Sequence, residues 1–383
     1  MNKFQILFIL GTRPEAIKLA PLICKCKNDN FFDVKVCITA QHREMLDQVL
    51  NLFDIIPDID LDIMKSNQGL AHITATILKG LENVFEKLNP ELVFVHGDTS
   101  TALAASLSAF YNKIPVAHVE AGLRTYNVLS PFPEEMNRQL TAKIAKFHFA
   151  PTESARQNLI SEKVNSSDIF VTGNTVVDSL LETRFKIKQN DIIVSLIKAS
   201  NPCFDSFVDN KFILITGHRR ENFGSGLSEI CNSVKQLANK YKNYNFVYPL
   251  HMNPNVRDSV MSVLSNIDNV KLIEHLDYYS FIYLMEKCTF ILTDSGGIQE
   301  EAPTFGKPVL VMRDATERKE GVEAGCTKIV GTNSSEIVKV ASLLIENEVV
   351  YNAMSSISNP YGDGKASYRI VSIIKNYYKN RIK

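Results

Sequence analysis

The segment from Phe290 to Glu320, FILTDSGGIQEEAPTFGKPVLVMRDATERKE, decides the fold of the chain. It begins with a short apolar run, turns at Ser295-Gly296-Gly297 and continues into a stretch that can form a helix. After a break at Gly306-Lys307-Pro308, a second apolar run leads into charged residues. Strand, glycine turn, helix and strand in this order predict a βαβ unit, which binds ligands at the carboxyl ends of its strands.

The glycine turn of this segment has the features of a phosphate site. The backbone N–H groups at a helix start are unpaired, and the helix dipole favours an anion there. Ser295 can cap the helix and also donate its hydroxyl to the anion. We expect Glu300 and Glu301 in the first turn, where at least one would contact hydroxyl groups, such as those of a ribose. An ordinary βα turn with glycines that serve packing is the alternative.

Length and composition predict two ordinary globular domains. The chain has 383 residues, more than one core usually holds. Lys+Arg and Asp+Glu both count 42, so the zero net charge favours neither nucleic acid nor a membrane as a partner. Seven cysteines without a CxxC pair indicate reduced thiols in a cytoplasmic protein. The apolar start of the chain ends at Leu10, too soon for a signal peptide, and no apolar run reaches the ~20 residues of a membrane span.

Strands and helices alternate along the whole chain. Continuous apolar runs predict parallel strands that are buried on both faces. The expected strands are 4–10, 34–39, 92–95, 116–119, 147–150 and 169–172, and then 212–216, 246–248, 270–273, 290–292, 309–312 and 329–330. This pattern predicts an α/β fold of two Rossmann-like, doubly wound domains that face a cleft. We place the domains at 1–172 and 173–365, with the C-terminal helix 366–383 completing the first.

Three carboxylates stand where the first domain would bind a ligand. Asp98 and Glu120 directly follow strands, and Glu134 follows Pro133 at a helix start. Carboxylates around a closed cleft raise each other's pKa, so that acid and base forms coexist near neutral pH. The plainer alternatives are a helix N-cap for Asp98 and a solvated loop acid for Glu120. We expect the adjacent Glu135 to face solvent or to form an ion pair.

Cationic groups accompany these carboxylates. His218 ends a strand and can donate a charge-assisted hydrogen bond to a phosphate, or can simply bond to the backbone of its turn. Arg13, Lys18 and Arg318 are further cations suited to a diphosphate. Because no GxGxxG follows the first strand, no nicotinamide cofactor is expected. The eight histidines show no metal-binding spacing, so no metal is expected either.

Ten motifs carry a resemblance to a known family. They are GTRPEAIKLAPL, TAQHREMLDQVL, VHGDTST, HVEAGLRT, SPFPEEMNR, TGNTVVDSL, TGHRREN, HMNPNVR, DSGGIQEEAP and KPVLVMRDATERKE. In content and order, over nearly the whole chain, they resemble the non-hydrolysing UDP-N-acetylglucosamine (UDP-GlcNAc) 2-epimerases of bacteria. The resemblance implies a GT-B-like fold and conversion of UDP-GlcNAc to UDP-N-acetylmannosamine (UDP-ManNAc) for surface polysaccharides. A UDP-sugar ligand, no cofactor and a homodimer are expected.

The resemblance also assigns roles to residues. The catalytic groups would be Asp98, Glu120, Glu134 and His218. The substrate would be bound by Arg13, Lys18, Asp98, Glu120, His218, Phe281, Ser295, Gly296, Gly297, Glu301 and Arg318. Phe281 matches a position near the uracil, although Leu276 stands where the family often has a polar residue. An allosteric site for a second UDP-GlcNAc, found in some family members, is resembled by Gln41, His42, Arg219, Glu221 and His251. This sequence has Glu44 at a position where those members often have Gln. The alternative role for these residues is to form contacts when the domains close.

The chemistry of the substrate favours elimination. The hydrogen at C2 lies beside an acetamido group rather than a carbonyl, so it is barely acidic. The family's route through 2-acetamidoglucal and retained UDP, followed by re-addition, needs carboxylates at C2 and groups that hold a departing diphosphate. Which carboxylate serves which face of C2 stays open. The alternatives are a hydrolysing 2-epimerase, a 2-epimerase of a modified UDP-N-acetyl sugar, a GT-B glycosyltransferase and a UDP-sugar sensor without activity.

Overall fold

The computed structural model describes residues 3–39, 43–64, 68–217, 219, 222–251 and 253–379, with the backbone alone at 43–45 and 255. The chain splits into two compact units. The first comprises Met1–Ser179 and Tyr361–Lys383, and the second comprises Leu180–Pro360. The division lies inside a helix, seven residues beyond the expected domain boundary at 172.

Each unit contains one parallel sheet. The strands of the first unit are β1 (Phe4–Leu10), β2 (Phe32–Ile38), β3 (Ile59–Asp60), β4 (Leu92–His96), β5 (Val116–Val119), β6 (Phe147–Ala150) and β7 (Ile169–Val171). Those of the second are β8 (Phe212–Thr216), β9 (Asn245–Pro249), β10 (Val270–Ile273), β11 (Ile291–Thr293), β12 (Val309–Val311) and β13 (Thr327–Ile329). Their spatial orders are β3-β2-β1-β4-β5-β6-β7 and β10-β9-β8-β11-β12-β13.

Helices connect consecutive strands. In the first unit they are α1 (Arg13–Lys27), α2 (Arg43–Leu52), α3 (Leu70–Leu88), α4 (Ser100–Tyr111), α5 (Glu134–Ile144), α6 (Glu153–Ser161) and α7 (Thr175–Gln189), which continues into the second unit. Then follow α8 (Asp191–Ser200), α9 (Ser225–Lys240), α10 (Pro254–Leu264), α11 (Tyr278–Lys287), α12 (Gly296–Glu301), α13 (Lys319–Ala324), α14 (Ser334–Glu346) and α15 (Glu348–Ser355). The last helix, α16 (Ala366–Lys379), packs on α1 in the first unit.

The apolar runs of the sequence become the centres of both sheets. Residues 6–10 of β1 and 213–215 of β8 have no exposed surface, as expected for parallel strands covered on both faces by helices. In both units the strand order reverses beside the first strand, between β1 and β4 and between β8 and β11. At such a reversal the loops after neighbouring strands diverge and leave room for a ligand at their carboxyl ends.

Three further observations concern the whole chain. No helix within the described residues is long and apolar enough to cross a membrane. All seven cysteines are free thiols. Among the described residues, no three His, Cys, Asp or Glu side chains are grouped so that they could hold a metal ion.

Candidate active-site groups in the two units

Glu120 lies directly after β5 and has an unusual backbone conformation. Its φ is 63°, in the left-handed region that residues other than glycine seldom adopt and that costs about 1–3 kcal/mol. Only 9% of the residue is exposed, so the interpretation of Glu120 as a solvated loop acid is wrong. Strain that persists at a buried carboxylate is typical of a functional position, because the surrounding structure has to hold it.

Three side chains converge on one oxygen of this carboxylate. Lys18, from α1, forms an ion pair with Oε2 of Glu120. The side-chain amide of Asn174 donates to the same oxygen over 2.9 Å. The Nε2 atom of His96, at the end of β4, lies 3.8 Å from it. The structure thus places Lys18 on the catalytic candidate Glu120 itself.

His96 contributes no charge to this group at neutral pH. Burial lowers the pKa of its imidazole to about 4, although the negative charge of Glu120 acts in the opposite direction. Its Nε2 atom is buried and has no hydrogen-bond partner among the described residues. Within the described part of the chain, the cation that pairs with Glu120 is therefore Lys18.

Asp98 follows β4, the strand next to β5 in the sheet. Its Oδ2 atom accepts a hydrogen bond of 2.8 Å from Nε of Arg138, and its carbonyl accepts one of 2.8 Å from Asn137. The side chain that caps α4 is that of Thr99, which accepts from the N–H of Ala102. The interpretation of Asp98 as the N-cap of this helix is therefore wrong.

The two glutamates that begin α5 differ in their surroundings. Glu134 is half-buried at the first position of the helix. Glu135 is fully buried, accepts from the N–H of Thr125 and pairs with Arg138 at 3.1 Å. Burial would raise the pKa of Glu135, but hydrogen bonds from the side chain of Gln139 and from two backbone N–H groups, together with the charge of Arg138, lower it overall. The ion-pair expectation for Glu135 is confirmed and the solvent-facing one is wrong.

The turn between β1 and α1 is occupied by a carboxylate of the chain itself. Glu15, 1% exposed, accepts from the N–H groups of Gly11 (3.0 Å) and Thr12 (2.8 Å) and from the hydroxyl of Thr99 (2.7 Å). Burial raises the pKa of Glu15 despite these hydrogen bonds. Because two N–H groups of the turn bind Glu15, the turn differs from a phosphate-binding loop. Arg13, the first residue of α1, is half-buried.

In the second unit, the glycine turn lies where the sequence predicts it, between β11 and α12. Ser295 takes the N-cap position, but its hydroxyl makes no capping hydrogen bond. A Cβ atom on Gly297 would meet nothing within 4 Å, so the space around it is open. A Cβ atom on Gly296 would lie 2.6 Å from Cζ of Arg318. The guanidinium therefore packs against the backbone of Gly296, and a side chain at this position would displace it.

Arg318 lies between two acidic side chains. Its Nε donates to Glu300 over 3.0 Å, and its Nη1 pairs with Glu317. Burial by itself would raise the pKa of Glu317, but Arg318 and Arg313 lower it to about 2. Contrary to expectation, Glu300 and Glu301 are the last residues of the six-residue α12 and lie outside its first turn. Glu301 is buried and accepts from the Tyr278 hydroxyl over 3.1 Å.

Asp294 is a buried residue to which the sequence analysis assigned no role. It has no exposed surface, and its Oδ2 accepts from the N–H of Arg219 (2.8 Å) and from the side chain of Asn222 (3.2 Å). Asn222 also donates to the carbonyl of Met312. Asp294 and Asn222 together therefore join the loops after three neighbouring strands, β8, β11 and β12. The sequence feature that could have indicated a role for Asp294 is its position directly before the Ser-Gly-Gly turn.

The remaining residues predicted for the site lie in other segments of the chain or outside the described residues. Phe281 is half-buried in α11, and Leu276 is buried just before that helix. His251 accepts through Nδ1 from the N–H of Asn253 over 3.1 Å. Other predicted positions lie outside the described residues: Gln41, His42, His218, Glu221 and the side chain of Glu44. Sequence reasoning assigned no role to His96, Asn174 and Arg138, because their partners lie far along the chain.

Comparison with known proteins identifies the family. The family model described as UDP-N-acetylglucosamine 2-epimerase matches residues 24–375. The chain belongs to the UDP-N-acetylglucosamine 2-epimerase family. The UDP-N-acetylglucosamine 2-epimerase of Escherichia coli K12 is 53% identical over 378 residues, which cover 99% of either chain.

Solved structures of family members have the same fold. The UDP-GlcNAc 2-epimerase of Neisseria meningitidis, bound to UDP-GlcNAc, is 52% identical and has a TM-score of 0.91, over 97% of this chain and 100% of that chain. An S. aureus protein, solved in a structure with UDP, is 48% identical and has a TM-score of 0.88. The match covers 98% of this chain and 97% of that chain. Together with the two parallel sheets, these similarities confirm the α/β fold with two Rossmann-like domains of the GT-B type.

Proposed function

We propose that this protein interconverts UDP-GlcNAc and UDP-ManNAc without net hydrolysis, for the synthesis of a surface polysaccharide. Family membership and the UDP-GlcNAc bound to the Neisseria relative support the substrate. The observation that carries the mechanism is Glu120, a buried carboxylate with a strained backbone and a lysine on one oxygen. Asp98, which follows the adjacent strand, supplies a second carboxylate.

The proposed reaction is elimination followed by re-addition. A carboxylate removes the proton from C2, and the electrons of that bond form the C1–C2 double bond. The bond from C1 to the phosphate oxygen breaks, and its electrons leave with UDP. A proton is then delivered to the opposite face of C2, and the UDP oxygen bonds to C1 again. Two proton-transfer groups are needed, and Asp98, Glu120 and Glu134 are the candidates.

Each unit has its own part in this proposal. The carboxylates of the first unit act on the sugar, and Arg13 binds the diphosphate or its sugar-side phosphate. The second unit holds UDP through Ser295, Gly296 and Gly297, where the open space beside Gly297 admits an anion. Arg318, anchored by Glu300 and Glu317, presents its guanidinium against this turn. We assign the ribose to Glu301, the uracil to Phe281 and a phosphate oxygen to His218.

Proton NMR of UDP-GlcNAc incubated with the protein in deuterated water tests the proposal. We expect UDP-ManNAc to accumulate with deuterium at C2, because the proton removed exchanges with solvent before re-addition. Release of free ManNAc would show a hydrolysing enzyme. If neither product forms, the proposed substrate is wrong, and UDP-N-acetyl sugars modified at C3 or C6 are the next to assay.

We also propose that the chain forms a homodimer. Apolar side chains are exposed along α5 and in the loop before it, at Phe132, Met136 and Leu140, and at the end of α4, at Phe110 and Tyr111. Helices α4 and α5 pack together, so these side chains belong to one region of the first unit. Light scattering after gel filtration should give the mass of two chains, and Leu140→Glu should give one.

We also propose that the chain has an allosteric site for a second UDP-GlcNAc, as the family resemblance implies. The imidazole of His251 accepts from the N–H of Asn253, and the backbone N–H of Arg219 donates to Asp294. A second UDP-GlcNAc bound near them would make the rate depend sigmoidally on UDP-GlcNAc, and His251→Ala should make that dependence hyperbolic. A hyperbolic dependence in the wild type would favour a purely structural role.

A further inference from the structure

Asn174, the residue before α7, is 2% exposed, and both its side chain and its backbone form hydrogen bonds. Its Nδ2 donates to Oε2 of Glu120 over 2.9 Å. Its Oδ1 accepts from the N–H of Val176 over 3.0 Å. Its own N–H donates to the carbonyl of Tyr361 over 2.7 Å. A buried amide with both ends of its side chain bonded has a single orientation, because turning it over would break both hydrogen bonds.

We infer that Asn174 is a positioning residue that holds the carboxylate of Glu120 in its working orientation. The inference rests on the proposed role of Glu120 as a proton-transfer group. Lys18 and Asn174 both bond the same oxygen of Glu120, so together they restrict the orientation of its carboxylate. Asparagine adds a donor without adding a charge, so it steadies the carboxylate without a second ion pair.

The groups that face Glu120 come from several elements. Lys18 comes from α1, His96 from the end of β4 and Asn174 from the start of α7. Lys18 is the cation of this set, and His96 is neutral because burial lowers its pKa to about 4, although the charges of Glu120 and Asp98 act in the opposite direction. A hydrogen bond donated to a carboxylate favours its ionised form. Loss of the Asn174 donor therefore favours the protonated form of Glu120.

Asn174 also lies where two stretches of chain meet. Residues 173–179 lead out of the first unit, and residues 361–366 lead back into it. They are joined by the hydrogen bond from Asn174 to Tyr361, and a Cβ atom on Gly173 would lie 3.4 Å from Cα of Gly362. Because Asn174 belongs to this junction and bonds Glu120, the orientation of the carboxylate depends on both connecting segments.

Two substitutions separate the contact with Glu120 from the contact with the helix. Asn174→Ser and Asn174→Asp each keep an oxygen that can accept from Val176. Both lose the hydrogen bond to Glu120, because an ionised aspartate has no donor and the serine hydroxyl is one atom too short to reach the carboxylate. Asn190 provides the matched control, since its Oδ1 accepts from the N–H of Ile192 over the same 3.0 Å while the residue is exposed. Asn190→Ser and Asn190→Asp therefore change an equivalent cap that lies outside the proposed machinery.

The first measurement does not depend on activity. Carbon-13 NMR of protein labelled at glutamate carboxyls gives the pKa of Glu120, whose signal is assigned by its loss in Glu120→Gln. We expect Asn174→Ser to raise this pKa by about one unit and Asn174→Asp to raise it further, since a carboxylate then faces a carboxylate. The Asn190 variants should leave it unchanged. An unaltered pKa in both Asn174 variants would overturn the inference; if Asn174→Asp fails to fold, the uncharged Asn174→Ser decides.

The second measurement is the pH dependence of C2 deuterium exchange. The acidic limb of kcat should move to higher pH in the Asn174 variants, and kcat should fall about tenfold or more with KM nearly unchanged. A merely structural role would lower stability without moving this limb. If the wild type shows no exchange, the proposed function fails, and the pKa of Glu120 still tests whether Asn174 positions it.

Discussion

Glu120 combines three properties that rarely occur together in a residue with only a structural role. It is buried, it has a positive φ, and one carboxylate oxygen is bonded to both an ammonium and an amide. A carboxylate removed from water is costly unless it is paired. Lys18 supplies that pairing, so Glu120 can remain ionised and act as a base.

Glu120→Gln tests this role directly. The amide keeps the shape of the side chain and one acceptor, but it cannot take a proton. Turnover should fall at least ~10²-fold, the usual scale of acid–base catalysis, while UDP binding is retained. NMR assays in deuterated water and calorimetry with UDP measure the two effects. Glu153→Gln, which removes an exposed carboxylate in the same unit, is the control. Activity close to that of the wild type would remove Glu120 from the mechanism.

Arg318 is predicted to contribute both to UDP binding and to folding. Arg318→Ala removes a cation beside the glycine turn, and it leaves Glu300, 1% exposed at its side chain, without its ion pair. Breaking a buried pair in this way costs about 3–5 kcal/mol, so the variant should unfold at lower denaturant concentration and bind UDP more weakly. Arg318→Lys should recover most of the stability. Arg257→Ala, which breaks an exposed pair with Glu274, should change neither property. Wild-type UDP affinity in folded Arg318→Ala would assign the residue to structure alone.

At the scale of elements, the start of α16 depends on a carboxylate in α7. Asp178 is 5% exposed and accepts from the N–H groups of Ala366 (3.2 Å) and Ser367 (2.8 Å). It therefore caps a helix that begins 188 residues later in the chain. Burial raises the pKa of Asp178, although these hydrogen bonds act against the rise.

Asp178→Ala is expected to loosen α16. The loss of two hydrogen bonds at a helix start should lower the free energy of unfolding by about 1–3 kcal/mol. Asp178→Asn keeps an acceptor and should cost less. Hydrogen exchange at 366–379 measures the local effect, and Asn165→Ala, which removes an exposed cap, serves as the control. Equal protection of α16 in Asp178→Ala and the wild type would mean that packing on α1 alone holds this helix.

Sequence patterns predicted elements better than they predicted the contacts of the site. Strands such as β1, β5, β6, β8 and β10 were predicted with their observed bounds, because a continuous apolar run is a local signal. The two-residue β3 was missed, because two residues carry no pattern. The partners of the catalytic candidates were missed because they are distant in sequence. Lys18 lies 102 residues from Glu120, and Arg138 lies 40 residues from Asp98.

At the scale of the whole molecule, the two units differ in their buried histidines. His96, His118 and His148 lie on β4, β5 and β6, three neighbouring strands of the first unit, and all are buried. Burial lowers their pKa values to about 4, about 3 and about 4. In the second unit, the described histidines are His251, which is half-buried, and His275, which is exposed. Below neutral pH the first unit should therefore lose stability before the second.

The direction of this effect follows from proton binding. Each folded pKa lies below the unfolded value of about 6.5, so the unfolded chain binds more protons as the pH falls from about 6.5 towards 4. At pH 5 each of the three histidines should destabilise the first unit by about 2 kcal/mol relative to pH 7.5. The raised pKa values of Glu15 and Asp178 offset part of this loss, since these carboxyls take up protons more readily in the folded state. In the second unit the lowered pKa of Glu317, about 2, costs stability only below about pH 4.5.

Hydrogen exchange with mass spectrometry at pH 7.5 and pH 5 can follow the two units separately, after correction for the intrinsic exchange rates. Protection should fall in peptides that cover β4, β5 and β6 and should persist in those that cover β8, β11 and β12. His148→Asn removes one of the three groups, so its stability should depend less steeply on pH between 6.5 and 5, by about one proton. His72→Asn, which changes an exposed histidine in α3 of the same unit, should leave the dependence as it is. Two results together would contradict this prediction: an equal loss of protection in both sheets at pH 5, and the same pH dependence of stability in His148→Asn as in the wild type. The buried histidines would then not determine the acid stability of the first unit.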